Sequence, residues 1–518
     1  MKNLSLVLFL FFCLKTHLSA QNVMISNQNE PNESSIIIDT KHPNVLLAGS
    51  SINNYYISTD TGKTWTTKTL SSTHGVWGDP MMAIDTASNF YFFHLSNPSP
   101  SSGNWIDRIV SQKSTDQGKT WSNGSFTGLN GKKAQDKQWC AIDRKNNNMY
   151  LTWTQFDTYG SSNTKDSSII LFSKSLDAGA TWSAPKRINA IAGDCIDSDN
   201  TVEGAVPTVG PNGEIYVAWA GPKGLVFNKS LDQGNTWLKN ETLVTDIPGG
   251  WDYNIEGIYR ANGLPVTTCD LKTGTIYINW SDQRNGASNT DIWLVKSNDG
   301  GKTWSAPKKV NNDTSNKQQF FTWMCIDQTS GYLYFVFYDR RNYTDNSTDV
   351  FIAISKDGGT TFLNKKISQS PFIPNAGVFF GDYTNITAHN GIVRPIWTRL
   401  QNGKLSVWTD ITKLKDLLVA NEEVSTNEKL NLAFENYPNP SNNDIFVSFK
   451  LHGKSDINLS VLDMKGNVVS NIITNESRDY GKYVERIDWQ KLNLPSGLYL
   501  LRLQVDGETK VIKQIVLP

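Results

Sequence analysis

The stretch Ser58-Thr59-Asp60-Thr61-Gly62-Lys63-Thr64-Trp65 decides the fold, because the chain repeats it five more times. The pattern Ser-x-Asp-x-Gly-x-Thr-Trp returns at 114–121, 175–182, 230–237 and 297–304, and at 355–362 with Phe362 in place of Trp. Successive copies start 56, 61, 55, 67 and 58 residues apart. A near-regular period of this size marks a supersecondary unit that buries its apolar face only by stacking on its neighbours. Each residue type in the phrase has a mechanical reason. The Asp carboxylate accepts backbone N–H groups across a tight turn, the Gly takes positive φ without steric penalty, and the Trp is an apolar plate that pins the turn down. All six copies are read as structural, and none of their aspartates is a catalytic candidate.

The flanks read as strands. Met81 to Asp85 precedes Phe90 to Phe93, Trp139 to Asp143 precedes Met149 to Trp153, and Met324 to Asp327 precedes Tyr332 to Tyr338. β-Branched and aromatic residues bounded by Asn, Gly and Asp turns favour strands. A seventh unit lacks the phrase but keeps the strands, at 383–388, 392–397 and 405–408. The phrase resembles the Asp-box (BNR) repeat of the sialidase-like β-propellers. The resemblance implies an all-β propeller whose boxes join third and fourth strands on the face opposite the active site. Counting units gives seven blades, with six, the usual number in true sialidases, as the alternative. Asn22 to Ser26 supplies the missing outer strand of the last blade, which closes the ring and removes exposed edges.

The 518 residues carry 49 basic and 49 acidic side chains, so no global field draws the chain to nucleic acid or an anionic membrane. Residues 1–20 read as a signal peptide, with Lys2, an apolar run from Leu6 to Leu14 and a small-residue site at Leu18-Ser19-Ala20. No later segment is apolar enough to span a membrane. Cys140, Cys269 and Cys325 fall at matching inner-strand positions; Cys195 lies in a loop, where pairing with Cys140 is an alternative to four buried thiols. Their spacing suits no zinc site, and neither metal nor cofactor is expected.

The composition changes near residue 413. A charged linker (413–435) follows the propeller (21–412), and a compact β module occupies 436–518. It opens with Tyr437-Pro438-Asn439-Pro440, turns at Lys465-Gly466-Asn467 and contains Pro495-Ser496-Gly497-Leu498-Tyr499. These elements resemble the C-terminal sorting domain of the type IX secretion system of Bacteroidetes bacteria. The resemblance implies a small β-sandwich read by the export machinery, and a secreted or cell-surface protein.

A propeller binds ligands at its axis, in loops that precede inner strands and follow second strands. Glu33, Asp79, Asp136, Lys137, Glu203, Arg260, Asp382 and Tyr383 fall in the first set; His94, Arg284, Arg340, Arg341 and Arg399 fall in the second. From these, Asp79, Glu203 and Tyr383 are the catalytic candidates. Arg260, Arg341, Arg399, Asp382 and His94 are the ligand-binding candidates. Arginine forks grip carboxylates and sulfates while aromatic faces stack on sugars, so the expected partner is an anionic glycan cut at a glycosidic bond. A non-catalytic glycan- or protein-binding surface propeller, and an adhesive protein with a filled channel, are the alternatives. Sialidases use an arginine triad and a Tyr nucleophile. No arginine precedes Arg108 here, so blade one lacks the family's first arginine motif. Arg284 and Arg340 are read as internal braces, because Asp282-Gln283-Arg284 parallels Asp339-Arg340-Arg341 in the next unit.

Overall fold

The computed structural model describes residues 21–100, 104–419, 434–451, 455–479, 481–506 and 508–517. The signal-peptide reading and most of the linker reading lie outside these residues. Contacts divide the chain into two units, one ending at Leu417 and one starting at Leu418.

The first unit is built from seven four-stranded antiparallel sheets. Blade 1 runs Asn32–Ile38, Leu46–Ser51, Asn54–Ser58 and Thr66–Thr69 in simple meander order. Blades 2, 3, 4, 5 and 6 repeat it, with inner strands Met81–Ile84, Ala134–Ile142, Glu203–Val209, Val266–Cys269 and Gln319–Asp327. Blade 7 takes three strands from Asn385–His389, Ile392–Gln401 and Lys404–Asp410, and its fourth, Asn22–Ser26, from the other end of the propeller. Neighbouring inner strands touch all the way round, from blade 1 through blade 7 and back to blade 1. The ring is closed at seven.

Each repeated phrase connects a third strand to an outer one. Strand direction alternates, so all six phrases lie at the axial end opposite to the end where the inner strands begin. Their geometry is shared. Ser58 Oγ donates to Asp60 Oδ1 at 2.9 Å and accepts from Gly62 N, while Asp60 accepts from Thr64 N at 3.0 Å and Thr64 Oγ1 at 2.7 Å. The same bonds recur around Asp116, Asp177, Asp232, Asp299 and Asp357. The closing ring packs on aromatic side chains of its own or the preceding blade: Trp237 on Phe172, Trp304 on Phe227 and Phe362 on Phe335. The phrase is thus an inter-blade staple as well as a turn.

Register on the second strands shows what fills the blades. Counting from the residue opposite each phrase's Ser, the fifth residue is Trp153, Trp219, Trp280 and Phe337 in blades 3, 4, 5 and 6. All four are fully buried. The equivalent in blade 2 is His94. Cys140, Cys195, Cys269 and Cys325 are free thiols, the first three buried.

The second unit pairs a three-stranded sheet (Glu435–Tyr437, Ile445–Leu451, Gly481–Ile487) with a four-stranded one (Val468–Arg478, Ser455–Leu462, Gly497–Val505, Glu508–Val516). Alternating residues of Ile445–Leu451 and Gly497–Val505 face one core with Ile457, Leu459, Val461 and Trp489. Tyr499 from the Pro-Ser-Gly-Leu-Tyr element packs edge-on against Trp489 and donates to Pro495 O at 2.8 Å. Among the described residues, no helix is long and apolar enough to cross a membrane.

Candidate functional site

The inner strands do not start straight. In blades 1, 3, 4 and 6 the pairing with the second strand slips, between Asn32 and Ser35, Asp136 and Trp139, Glu203 and Val206, and Phe320 and Trp323. Each bulge contains a residue in the left-handed region: Glu33 (φ 48°), Lys137 (φ 52°), Gly204 (φ 73°) and Phe321 (φ 50°). Asp79 (φ 51°) does the same ahead of blade 2. Bulges re-aim side chains, and left-handed non-glycine residues are held only where the surroundings over-determine them. Links between blades supply that hold. Gln138 Nε2 donates to Asp79 O, and Thr384 Oγ1 donates to Phe321 O at 2.7 Å.

The re-aimed side chains meet on the axis around Lys137. Its Nζ lies 2.7 Å from Asp382 Oδ2, 3.2 Å from Asp79 Oδ2 and 3.7 Å from Glu33 Oε1. Arg260 grips Asp382 from the other side, with Nε at 2.8 Å and a terminal nitrogen at 2.5 Å. A second terminal nitrogen lies 3.6 Å from Asp197. Glu33 Oε2 accepts from Ser51 Oγ at 2.7 Å, and Asp136 Oδ1 accepts from the Lys137 amide at 2.7 Å. Tyr159 OH donates to Asp197 at 2.6 Å.

Burial and charge drive these carboxyls apart. Glu33 is pushed well above the usual carboxylate range, first by burial and then by Asp79. Burial raises Glu203 likewise, with Asp197 adding to it. Asp136 rises to about 7, by burial against the opposing pull of Lys137. Asp382 goes the other way: burial opposes its ionisation, but Lys137 and Arg260 outweigh it and hold the carboxylate charged. Neighbouring carboxyls in opposite protonation states are the raw material of acid–base chemistry.

Above this floor opens a cavity of about 650 Å³. Glu30, Glu33, Asp79, Asp136, Lys137 and Arg260 line it, with walls from Trp77, Trp105, Tyr159, Tyr259 and Phe379. Trp105 and Tyr259 are 44% and 59% exposed, which makes them the rim. Beneath the floor the channel is plugged. Trp139 and Trp323, each two residues after the left-handed residue of its bulge, pack at 4.3 Å between ring centroids, and Tyr383 packs on both.

Five of the eight residues singled out from the sequence sit at or beside this floor. Asp79 and Asp382 hold Lys137, Arg260 holds Asp382, and Glu203 lines a side void with Asp197 and Arg260. Tyr383 belongs to the plug one layer down, and burial, then Asp79 and Glu33, keep its phenol neutral. The structure places the other three elsewhere. His94 fills the blade-interior position that Trp holds in blades 3, 4 and 5; it is fully buried, bonds Leu95 O and Gln112, and burial lowers it to about 4. Arg341, not Arg340, is the register equivalent of Arg284. It braces Asp339 at 2.8 Å and lies over Phe351, as Arg284 braces Asp282 and lies over Trp293. Arg340 is buried against Phe320 and donates to Thr348. Arg399 donates to Ser370 and Pro371 at the edge of blade 7. Sequence reading placed Glu33, Asp136 and Lys137 near the axis but did not single them out. It searched for arginines and acids, while the hub is a lysine whose signal is its place at the bulge.

Fold and site define a seven-bladed β-propeller with a polar axial cavity, followed by a small two-sheet β module. Residues 435–517 match the family described as the secretion system C-terminal sorting domain. That domain marks the chain for type IX export, to the cell surface or the medium. A sialidase of Bacteroides fragilis (strain YCH46) is 24% identical over 271 residues, 48% of this chain and 47% of that protein. The chain thus spans about half the length of the curated relative it matches. Among solved structures, a PL25 ulvan lyase bound to -[GlcA(1-4)Rha3S]- is 13% identical, with TM-score 0.45 over 78% of this chain and 98% of its own. The NanB sialidase of Streptococcus pneumoniae is 11% identical, with TM-score 0.43 over 71% and 83%.

Proposed function

We propose that this chain is an exported glycan-processing propeller whose axial cavity cleaves a glycosidic bond by general acid–base catalysis. The observation that carries this reading is a cavity with aromatic walls and two buried carboxyls, Glu33 and Asp136, whose ionisation burial opposes, set on a floor where Lys137 and Arg260 hold Asp382 charged. Aromatic faces suit sugar rings, and cleavage needs one carboxyl to protonate the leaving oxygen while another acts as base or nucleophile. Glu33 and Asp136 supply the protonated groups. Asp79, 3.2 Å from the Lys137 ammonium, is the second carboxyl by position. Tyr383 as nucleophile is the weaker assignment, because its surroundings oppose the phenolate. An anionic sugar, expected from the arginines, would find two cations lining the cavity, Arg260 and Lys137, both already engaged by Asp382.

The test incubates the purified full chain with a panel of neutral, amino-sugar, uronate and sulfated glycans, assayed for new reducing ends and for ultraviolet-absorbing unsaturated sugars. Reducing ends without ultraviolet absorbance are the expected result. Unsaturated products would replace hydrolysis by elimination. Binding without cleavage would replace catalysis by glycan recognition, and failure to bind any glycan would end the reading.

A further inference from the structure

We infer that the cavity selects a sugar bearing a free amino group, so that the substrate is a cationic amino-sugar glycan; this rests on the glycan-processing reading above. Five carboxyls, those of Glu30, Glu33, Asp79, Asp136 and Asp382, surround the cavity and its floor, facing two cations, Lys137 and Arg260. Both cations are already engaged. Lys137 is shared among Asp382, Asp79 and Glu33, and Arg260 lies on Asp382 with Asp197 beside it. A uronate or sulfate would meet no free cationic fork in this cavity.

An ammonium group meets the reverse. Carboxyl oxygens of Glu30, Glu33, Asp79 and Asp136 line the cavity as acceptors. Asn32 Oδ1, on a side chain 9% exposed and lining the same cavity, has no hydrogen-bond donor among the described residues. The walls suit the same charge, since the face of an aromatic ring attracts a cation. Arg260 already demonstrates this, with its guanidinium carbon 4.9 Å from the Phe379 ring centroid. Trp77, Trp105 and Tyr259 offer further rings around the opening. The raised Glu33 carboxyl fits the picture: burial and then the negative neighbour Asp79 produce it, and a bound ammonium would relieve the crowding.

The experiment compares ligands on the intact, full chain, so it does not depend on a variant folding. Short oligosaccharides of glucosamine, of N-acetylglucosamine and of galacturonic acid, equal in length, are titrated calorimetrically in mildly acidic buffer, where the sugar amines are charged. The expected result is binding of the glucosamine oligomer at least about tenfold tighter than the acetylated one, with the uronate weakest. Equal or tighter binding of the acetylated or uronate oligomer overturns the amino-sugar inference and leaves glycan processing standing. No binding of any of the three, together with no cleavage across the wider panel, overturns both. The exposed rim residue gives an independent check. Trp105→Ala is expected to weaken the glucosamine oligomer at least about fivefold, and unchanged affinity would remove the cavity as its site.

Discussion

Removing the Lys137 ammonium would leave Asp79 without its cationic partner, Glu33 beside it, and Asp382 with Arg260 alone. Breaking a buried ion pair by deleting one partner costs about 3–5 kcal/mol, so Lys137→Met is expected to lower unfolding free energy by that much in urea titrations. A loss under about 1 kcal/mol would mean that the axial cluster is solvated. Asp136 carries a pH prediction of its own. With its carboxyl near 7, the protonated acid it supplies is lost as pH rises through about 7, and the rate of glycan cleavage should fall there. The stability sign follows from the same shift. The folded carboxyl holds its proton where the unfolded one, near 3.8, has released it, so stability falls from about pH 4 to about pH 7 and then levels. His94→Phe should leave activity unchanged, since His94 fills a blade interior; a large rate loss would return it to the chemistry. At this scale the sequence was legible only in part. Asp79, Arg260 and Asp382 were found because polar residues ahead of inner strands reach the axis. Arg341 and His94 were misplaced because register, not residue type, decides which side chain fills a blade.

The repeated turn was the most legible element, because every residue in it has one mechanical task. Its glycine does two things at once. Gly301 adopts φ 78°, and a Cβ there would lie 2.3 Å from the Phe227 ring of the preceding blade. Gly331 adopts φ 76° with nothing nearby. The left-handed penalty alone is about 1–2 kcal/mol, and overpacking adds about 1–3 kcal/mol. Gly301→Ala should therefore destabilise clearly more than Gly331→Ala in paired thermal melts; equal effects would show that the turn is not pressed against its neighbour. The turn aspartates carry acid sensitivity. Asp116, Asp177, Asp232 and Asp357 are lowered to about 2, chiefly by hydrogen bonds from the turn threonines (for Asp357 these overcome an opposing burial effect). Their contribution is present above about pH 4 and is lost as pH falls toward 2. The bulges that build the floor were not legible. A left-handed Glu33 or Lys137 has no glycine to announce it, and only the slipped pairing reveals it.

For the whole molecule, blade number was the open question, and the pairing of Asn22–Ser26 with Lys404–Asp410 answers it. The alternation of strands, the seventh unit and the closing strand at 22–26 were readable from the sequence; the choice between seven and six blades was settled by the pairing itself. Removing residues 22–26 would expose an unpaired edge on blade 7, which invites pairing between molecules. A lower melting temperature together with concentration-dependent association in sedimentation is the expected outcome, and a monomer of unchanged stability would show that the seam is dispensable. The seam also has a consequence in time. The strand at 22–26 is synthesised some four hundred residues before its partner, so it must wait, unmatched, until every other blade has been made. The last join in the circle is therefore the one with the greatest separation along the chain, and nothing short of the finished propeller can lock.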